Sequence, residues 1–301
     1  MPAHVHVLAP ATTANLGPGF DTAGLALDWW DRLELTVTAD TPLTSMQVTG
    51  EQAELLPTGA DNLVRATMGR LAAHVGAVLP ELHLSLVKGF PLGRGFGSSA
   101  AAVVLGLLAA RALLAPDLPD AEVLDLACEL EGHPDNVTPC LSGGATLSWR
   151  EGGLVRSRPV EVHPDLVALG LVAPGAMATS QARRLLPARV PFADAARTAS
   201  RAALLPLALA GDFDLLLPAT EDVLHQPARL ARLPDSARLL ERLRARGYAA
   251  FLSGAGPSLL VLVPRPGLED LRALADEAVE GTGWRVEALE VTRDGARATT
   301  A

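Results

Sequence analysis

Pro91-Leu92-Gly93-Arg94-Gly95-Phe96-Gly97-Ser98-Ser99-Ala100-Ala101 sets three alternate glycines and two serines directly ahead of an apolar run that continues to Ala110. The run is rich in Ala and Leu, so it reads as a buried helix beginning at about Ser98. Glycines permit positive φ and close approach of the backbone. A helix start leaves its first N–H groups without intrahelical partners and adds the positive end of the dipole. A Gly-rich turn feeding such a start suits an anion, phosphate above all. The two hydroxyls add hydrogen-bond donors and are within reach of a metal ion. Taken locally, a tight turn with a Ser N-cap meets the pattern equally well. The commoner phosphate motifs do not fit. The Gly-Lys-Ser/Thr ending of a P-loop is missing, and no Gly-x-Gly-x-x-Gly can be drawn through the stretch.

Composition narrows the setting. The chain has 301 residues, enough for one large or two modest domains, and at 49% hydrophobic and 20% charged it can bury a sizeable core. With 34 acidic against 25 basic residues the net charge is −9, which disfavours nucleic acid as a partner. Lys88 is the only lysine, so a catalytic lysine is almost excluded. Cys128 and Cys140 are too few for a disulfide scaffold or zinc cluster and read as buried free thiols. Met1 to Pro10 shows no signal-peptide pattern, and the longest apolar run ends at Arg111, too short for a bilayer. The expectation is a soluble cytoplasmic protein with no membrane partner.

Outward from the glycine stretch, Leu82–Val87 reads as the strand leading into it, and Asp61-Asn62-Leu63-Val64 opens a helix toward His74 with Asp61 as N-cap. Val5–Ala9 is a first strand. Pro10-Ala11-Thr12-Thr13-Ala14-Asn15-Leu16-Gly17-Pro18-Gly19-Phe20-Asp21 reads as a loop whose hydrogen-bonding ends are Asn15 and Asp21. Leu33–Val37 alternates like a half-buried strand. Asp120–Leu130 is an amphipathic helix. Glu131-Gly132-His133-Pro134-Asp135-Asn136-Val137-Thr138-Pro139 is its exit, gathering carboxylates, an imidazole and an amide without the spacing of a zinc site.

In the second half, Val167–Val172 is a strand and Thr179 to Pro187 starts a short basic helix. Ala195–Ala210 and Ser236–Ala245 read as helices. His225 to Arg229 contributes a second arginine, and the planar fork of Arg suits a carboxylate. Phe251 to Val261 is a strand, a glycine turn and a strand. Val286–Val291 closes the set, and Asp294–Ala301 reads as a frayed tail.

Blocks of this chain spread from residue 10 to 258 resemble those of the GHMP small-molecule kinases. The 91–101 stretch is similar to their Pro-x-x-x-Gly-Leu-Gly-Ser-Ser-Ala loop, with Phe96 where Leu is usual. Residues 10–21 resemble the N-terminal signature of the homoserine kinase branch. The Glu131–Pro139 block, the Thr179–Pro187 segment and the His225–Arg229 segment resemble three further segments of that branch; Ser253–Ser258 resembles the third motif of the superfamily. The resemblance implies an α+β fold of two domains, a ribosomal-protein-S5-like domain over 1–160 and a ferredoxin-like domain over 161–301. It implies an ATP-dependent kinase acting on L-homoserine, with Mg²⁺ and a homodimeric state.

The same resemblance assigns residues. Asn62, Pro91, Leu92, Gly93, Arg94, Gly95, Phe96, Gly97, Ser98, Ser99, Ala100 and Ala101 are expected at ATP. Ser99 and Glu129 are expected at the metal, with Glu131 as the alternative. Asn15, Asp21, His133 and Asn136 are expected at the amino and hydroxyl end of the substrate. Thr179, Arg183 and Arg229 are expected at its carboxylate, with Arg183 also offsetting charge on the moving phosphoryl group. Asp21 and Asp135 are candidates for general base, and attack with no strong base stands beside them. A different alcohol as substrate, or a non-catalytic nucleotide-binding relative, are the other readings.

Overall fold

β1 (His4–Ala14) and β2 (Ala23–Val37) form a long antiparallel pair at the centre of a computed structural model that describes residues 2–38 and 44–301. β3 (Ser45–Gly50), α1 (Leu63–His74), β4 (Leu82–Lys88), α2 (Ser98–Leu114), α3 (Asp120–Glu131), α4 (Pro134–Ser142), β5 (Ala145–Glu151) and β6 (Leu154–Val160) complete the first half. β7 (Leu166–Val172), α5 (Thr179–Arg184), α6 (Phe192–Ala210), α7 (Leu216–Ala219), α8 (Gln226–Leu230), α9 (Pro234–Ala245), β8 (Ala249–Leu252), β9 (Leu259–Pro264), α10 (Leu268–Val279), β10 (Arg285–Glu290) and β11 (Arg297–Thr300) follow. The first sheet runs β11-β1-β2-β4-β3, with β5 and β6 continuing from the start of β2; the second runs β10-β7-β9-β8. The architecture is α+β, as the resemblance implies.

Period-2 alternation explains how the sheets join. Along β7, Val167, Leu169 and Leu171 face one core, against Leu243, Leu271 and Ala275 of α9 and α10. Leu166, Ala168 and Val172 face the other, which is continuous with the core of the first sheet and α2. β7 therefore reads as an unbroken apolar run because both its faces are covered. α2 is apolar on nearly every side and lies buried against β1, α1 and α3.

Four sequence expectations change. β1 does not stop at Ala9 but runs to Ala14, carrying Pro10 at a register shift, the one kind of interior strand position that tolerates proline. The Glu131–Pro139 block is not an irregular exit: Gly132 ends α3 at φ 88, and α4 begins at once with Pro134 in its first turn. The cap of α1 is Asn62, not Asp61, its Oδ1 accepting from the Val64 N–H at 3.0 Å. The tail is not frayed: β11 pairs with β1 over four residues, so the chain returns to its first sheet after building the second. No helix among the described residues is long and apolar enough to cross a membrane.

Candidate active site

A cavity of about 750 Å³ opens between the two sheets, floored by the glycine stretch. Gly93, Gly95 and Gly97 all have positive φ (63°, 95° and 67°). A side chain on Gly95 would run into the Ser253 carbonyl, and one on Gly97 into the Thr12 hydroxyl and Asn136. The loop is thus pressed against other backbone, which is why glycine is required. It is staked on several sides. Ser253 Oγ donates to the Gly95 carbonyl at 2.8 Å, the Met177 N–H to the Gly93 carbonyl at 3.0 Å, and the Leu92 N–H to Gln52 Oε1 at 2.8 Å. Arg94 points away from the cavity and donates to the carbonyls of Leu92, Ala173 and Pro174. Phe96, Ala100 and Ala101 are buried, with Phe96 edge-on to Trp29 at 5.6 Å. The first N–H groups of α2, capped by Gly97 with no side-chain bond, face the cavity.

The carboxylate beside Ser99 is Glu131. Ser99 Oγ donates to Glu131 Oε2 at 2.7 Å. Glu129 lies two residues earlier, on another side of α3. It pairs with Arg70 at 3.1 Å on the outer surface, so it does not reach the loop. Burial raises the pKa of Glu131, against the opposing hydrogen bond from Ser99. A desolvated carboxylate and a hydroxyl, both oxygen donors, fit a hard divalent cation. At the start of α4, His133 Nδ1 meets Asp135 Oδ1 at 2.8 Å. Burial alone would lower the His133 pKa, but the Asp135 carboxylate outweighs it and the net shift is upward. Asn136 accepts from Thr12 Oγ1 at 2.9 Å.

At the opposite wall the N-terminal loop holds an unusual backbone. Asn15, Leu16 and Asp21 all have positive φ (70°, 44° and 54°), a conformation that persists only where surroundings enforce it. Asn15 does the enforcing: its Nδ2 donates to the Gly254 carbonyl at 2.9 Å and its Oδ1 accepts from the Asp21 N–H at 3.1 Å. Asp21 holds Arg183 of α5 through both oxygens, at 2.5 and 3.0 Å. Arg229 of α8 is buried; its Nη1 contacts the Gly254 carbonyl and His225 Nδ1, both at 3.0 Å, and its Nε has no partner. Burial lowers the Arg229 pKa, and Arg183 adds to the effect. The Phe20 ring lies 5.5 Å from the Arg183 guanidinium and 5.6 Å from that of Arg229.

A smaller chamber of about 260 Å³ adjoins the loop beyond Ser98 and Ser99. Its walls are apolar except for Asn62, a buried Lys88–Asp31 pair and the two serines at its mouth. Asn62 spends both ends locally, since its Nδ2 also donates to the Pro57 carbonyl at 2.7 Å. Burial raises the Asp31 pKa, opposed by Lys88.

The cavity brings together Asn15, Asp21, His133, Asn136, Thr179, Arg183 and Arg229 with the loop glycines, Ser98 and Ser99. It does not include Glu129 or the side chain of Arg94. Sequence reasoning missed His225, Phe20 and the Lys88–Asp31 pair. For His225 a signal was available, since it precedes Arg229 by four residues and so shares its face across a helical turn. Phe20 and Asp31 carry no local signal. Cys128 and Cys140 are buried free thiols, and burial pushes the Cys128 thiol up to about 12.

The model for the GHMP kinases N terminal domain matches residues 62–144, and that for the GHMP kinases C terminal domain matches 204–279. The chain is 48% identical to the homoserine kinase of Clavibacter michiganensis, over 87% of this chain and 84% of that one. It is 44% identical to the homoserine kinase of Streptomyces avermitilis over 98% of this chain and 95% of that one. Among solved structures, that of homoserine kinase from Cytophaga hutchinsonii superposes with a TM-score of 0.86 at 26% identity, covering 99% of this chain and 98% of that one.

Proposed function

This chain belongs to the GHMP kinases and within them to the homoserine kinase family, and from that premise we propose a role for each part of its cavity. The activity is ATP-dependent phosphorylation of the side-chain hydroxyl of L-homoserine to O-phospho-L-homoserine, a step of threonine biosynthesis. The observation that carries the residue assignments is one continuous cavity with a glycine phosphate loop at one wall and two arginines at the other.

The loop amides from Gly93 to Ser99 and the start of α2 hold the ATP phosphates. The apolar chamber beside Asn62 and Lys88 takes the base. Arg229 and Arg183, with Thr179, receive the amino-acid carboxylate, and Asp21 with Asn15 receives its ammonium. This leaves the side-chain hydroxyl near His133 and Asn136, between the carboxylate site and the loop. The reaction requires a divalent metal ion, which we take to be Mg²⁺; Ser99 and Glu131 would hold it, and it would neutralise phosphate charge. The hydroxyl oxygen attacks the γ-phosphorus as its bond to the ADP oxygen breaks, and the hydroxyl proton passes to an oxygen of the transferred phosphoryl group. Among the described residues, no carboxylate is held free beside the hydroxyl. Asp21 is taken up by the substrate ammonium and Asp135 is engaged by His133, which supports attack without a strong base through a loose transition state, driven by positioning. By family pattern the enzyme is a cytoplasmic homodimer.

The test is ADP release from Mg-ATP with L-homoserine, and O-phosphohomoserine identified as product. In the same assay Glu131→Gln is expected to lose on the order of 100-fold in kcat or more, as for removal of a charge-stabilising group, while Glu129→Gln stays near wild type. The reverse order would return the metal to Glu129.

A further inference from the structure

Among the described residues, Asp21 and Arg183 form the charge pair that spans the amino-acid half of the cavity. Both carboxylate oxygens are engaged, at 2.5 and 3.0 Å, and both side chains remain about one-third exposed at 35% and 36%. Asp21 is fixed in the left-handed region by Asn15, whereas Arg183 extends from a short helix, so the two are anchored independently. Arg229 is different: buried, bonded to a neutral ring and a carbonyl, and without a carboxylate partner among the described residues. The empty charge in this half of the site is a cation, and the occupied charges are a matched pair.

Resting on the reading that this cavity takes an amino-acid alcohol, we propose that the Asp21–Arg183 pair is a latch that a zwitterion opens and a singly charged analogue does not. The substrate ammonium replaces the Arg183 guanidinium on Asp21. The substrate carboxylate replaces the Asp21 carboxylate on Arg183 and also meets Arg229. One ion pair is exchanged for two, and no charge is left alone. A hydroxy acid that breaks the pair strands the Asp21 carboxylate beside its own. An amino alcohol without a carboxylate strands Arg183 beside Arg229. Selection for an α-amino acid thus comes from a penalty on half-substrates as well as from contacts to the whole one.

Two half-substrates test it. 4-Hydroxybutyrate keeps the hydroxyl and carboxylate of homoserine; 3-aminopropan-1-ol keeps the hydroxyl and ammonium. Their inhibition constants against L-homoserine are measured on wild type, Asp21→Asn and Arg183→Gln. A latch predicts that Asp21→Asn binds 4-hydroxybutyrate about fivefold more tightly than wild type, because no carboxylate has to be displaced, while its KM for L-homoserine rises. It predicts the reciprocal gain, of similar size, for 3-aminopropan-1-ol on Arg183→Gln. The two substitutions lie on different elements, so one remains informative if the other fails to fold. If Asp21 were only an ammonium contact, 4-hydroxybutyrate would bind Asp21→Asn no better than wild type; that result, or no gain for the amino alcohol on Arg183→Gln, overturns the latch. Wild type that does not phosphorylate L-homoserine at all would instead overturn the functional reading beneath it.

Discussion

His225 shows how much a single buried side chain can settle. Its Nε2 lies 2.8 Å from the Gly17 carbonyl, which can only accept, and its Nδ1 lies 3.0 Å from Arg229 Nη1, which can only donate. The ring is therefore neutral with its proton on Nε2, and it ties the strained N-terminal loop to Arg229. Burial lowers its pKa; Arg229 adds to the shift, while Asp222, the Gly17 carbonyl and Asp21 oppose it. The sign of the stability effect follows. Above the unfolded value of about 6.5 both states are neutral and His225 contributes no pH dependence. As pH falls below that value the unfolded chain takes up a proton that the folded one resists, so stability is lost toward the lowered folded pKa. Urea midpoints at pH 7.5 and 5.5 should therefore fall further apart for wild type than for His225→Gln. The same variant keeps a donor for Gly17 but loses the acceptor for Arg229. It should raise the KM for L-homoserine on the order of tenfold with kcat less affected, as for a lost hydrogen bond to a charged group. An unchanged KM would detach His225 from the substrate site.

At the scale of elements, the glycine loop is held largely by residues that do not line the cavity, Gln52, Arg94 and Ser253 among them. Arg94 is legible in the sequence as a loop residue, and its position among glycines invites a phosphate contact. Its guanidinium instead spans the carbonyls at the end of β7, because those acceptors lie nearer than the cavity. Arg94→Ala should therefore raise the KM for ATP several-fold through loop mobility, leave the KM for L-homoserine nearly unchanged, and cost about 1–3 kcal/mol of stability from unpaired carbonyls. A Gly97→Ala substitution should be worse, since alanine at φ 67° costs ~1–2 kcal/mol before its methyl meets Thr12. The order of elements could be read because hydrophobic periodicity and turn residues are local. The loop glycines, the α2 start and the strand at 167–172 all lie where their patterns put them. What escaped was decided by partners distant in sequence. Glu129 and Glu131 are equivalent in composition, and only the rotation of α3 against α2 selects Glu131. Pro10 reads as a strand breaker until a register shift with β2 accommodates it. The 294–301 tail has no apolar side chain larger than alanine, and its order comes from backbone pairing with β1.

That tail sets the behaviour of the whole molecule. The second sheet lies between β6 and β11 in the chain, and both of those strands belong to the first sheet. The faces of β7 and β9 are divided between two cores, one of which is also the core of the first sheet. A chain tied at both ends and sharing a core across the cavity should unfold as a unit although it has two sheets, so calorimetry should give one transition. The covalent return can be removed with little loss to the shared core, since of the deleted residues only Ala296 packs against it. Truncation after Arg293 deletes β11, the Ala296 N–H bond to the Cys140 carbonyl at 2.7 Å, and the close approach of Gly295 to the Leu141 carbonyl. Little apolar area is lost with it, since all four β11 residues are exposed. The cost is therefore a few backbone hydrogen bonds, about 1–3 kcal/mol, and for a chain of this size a Tm lower by several degrees. The second consequence is chemical exposure of the β1 edge, an open row of N–H and C=O groups available to another chain. The truncated protein should keep its single transition and its KM values, because Thr12 and Thr13 of β1 keep their bonds to Asn136 and Ser253 beside the cavity, but should aggregate on heating at concentrations where the full chain stays clear. Two separated transitions in the truncated form would mean that β11, rather than the shared core, couples the sheets.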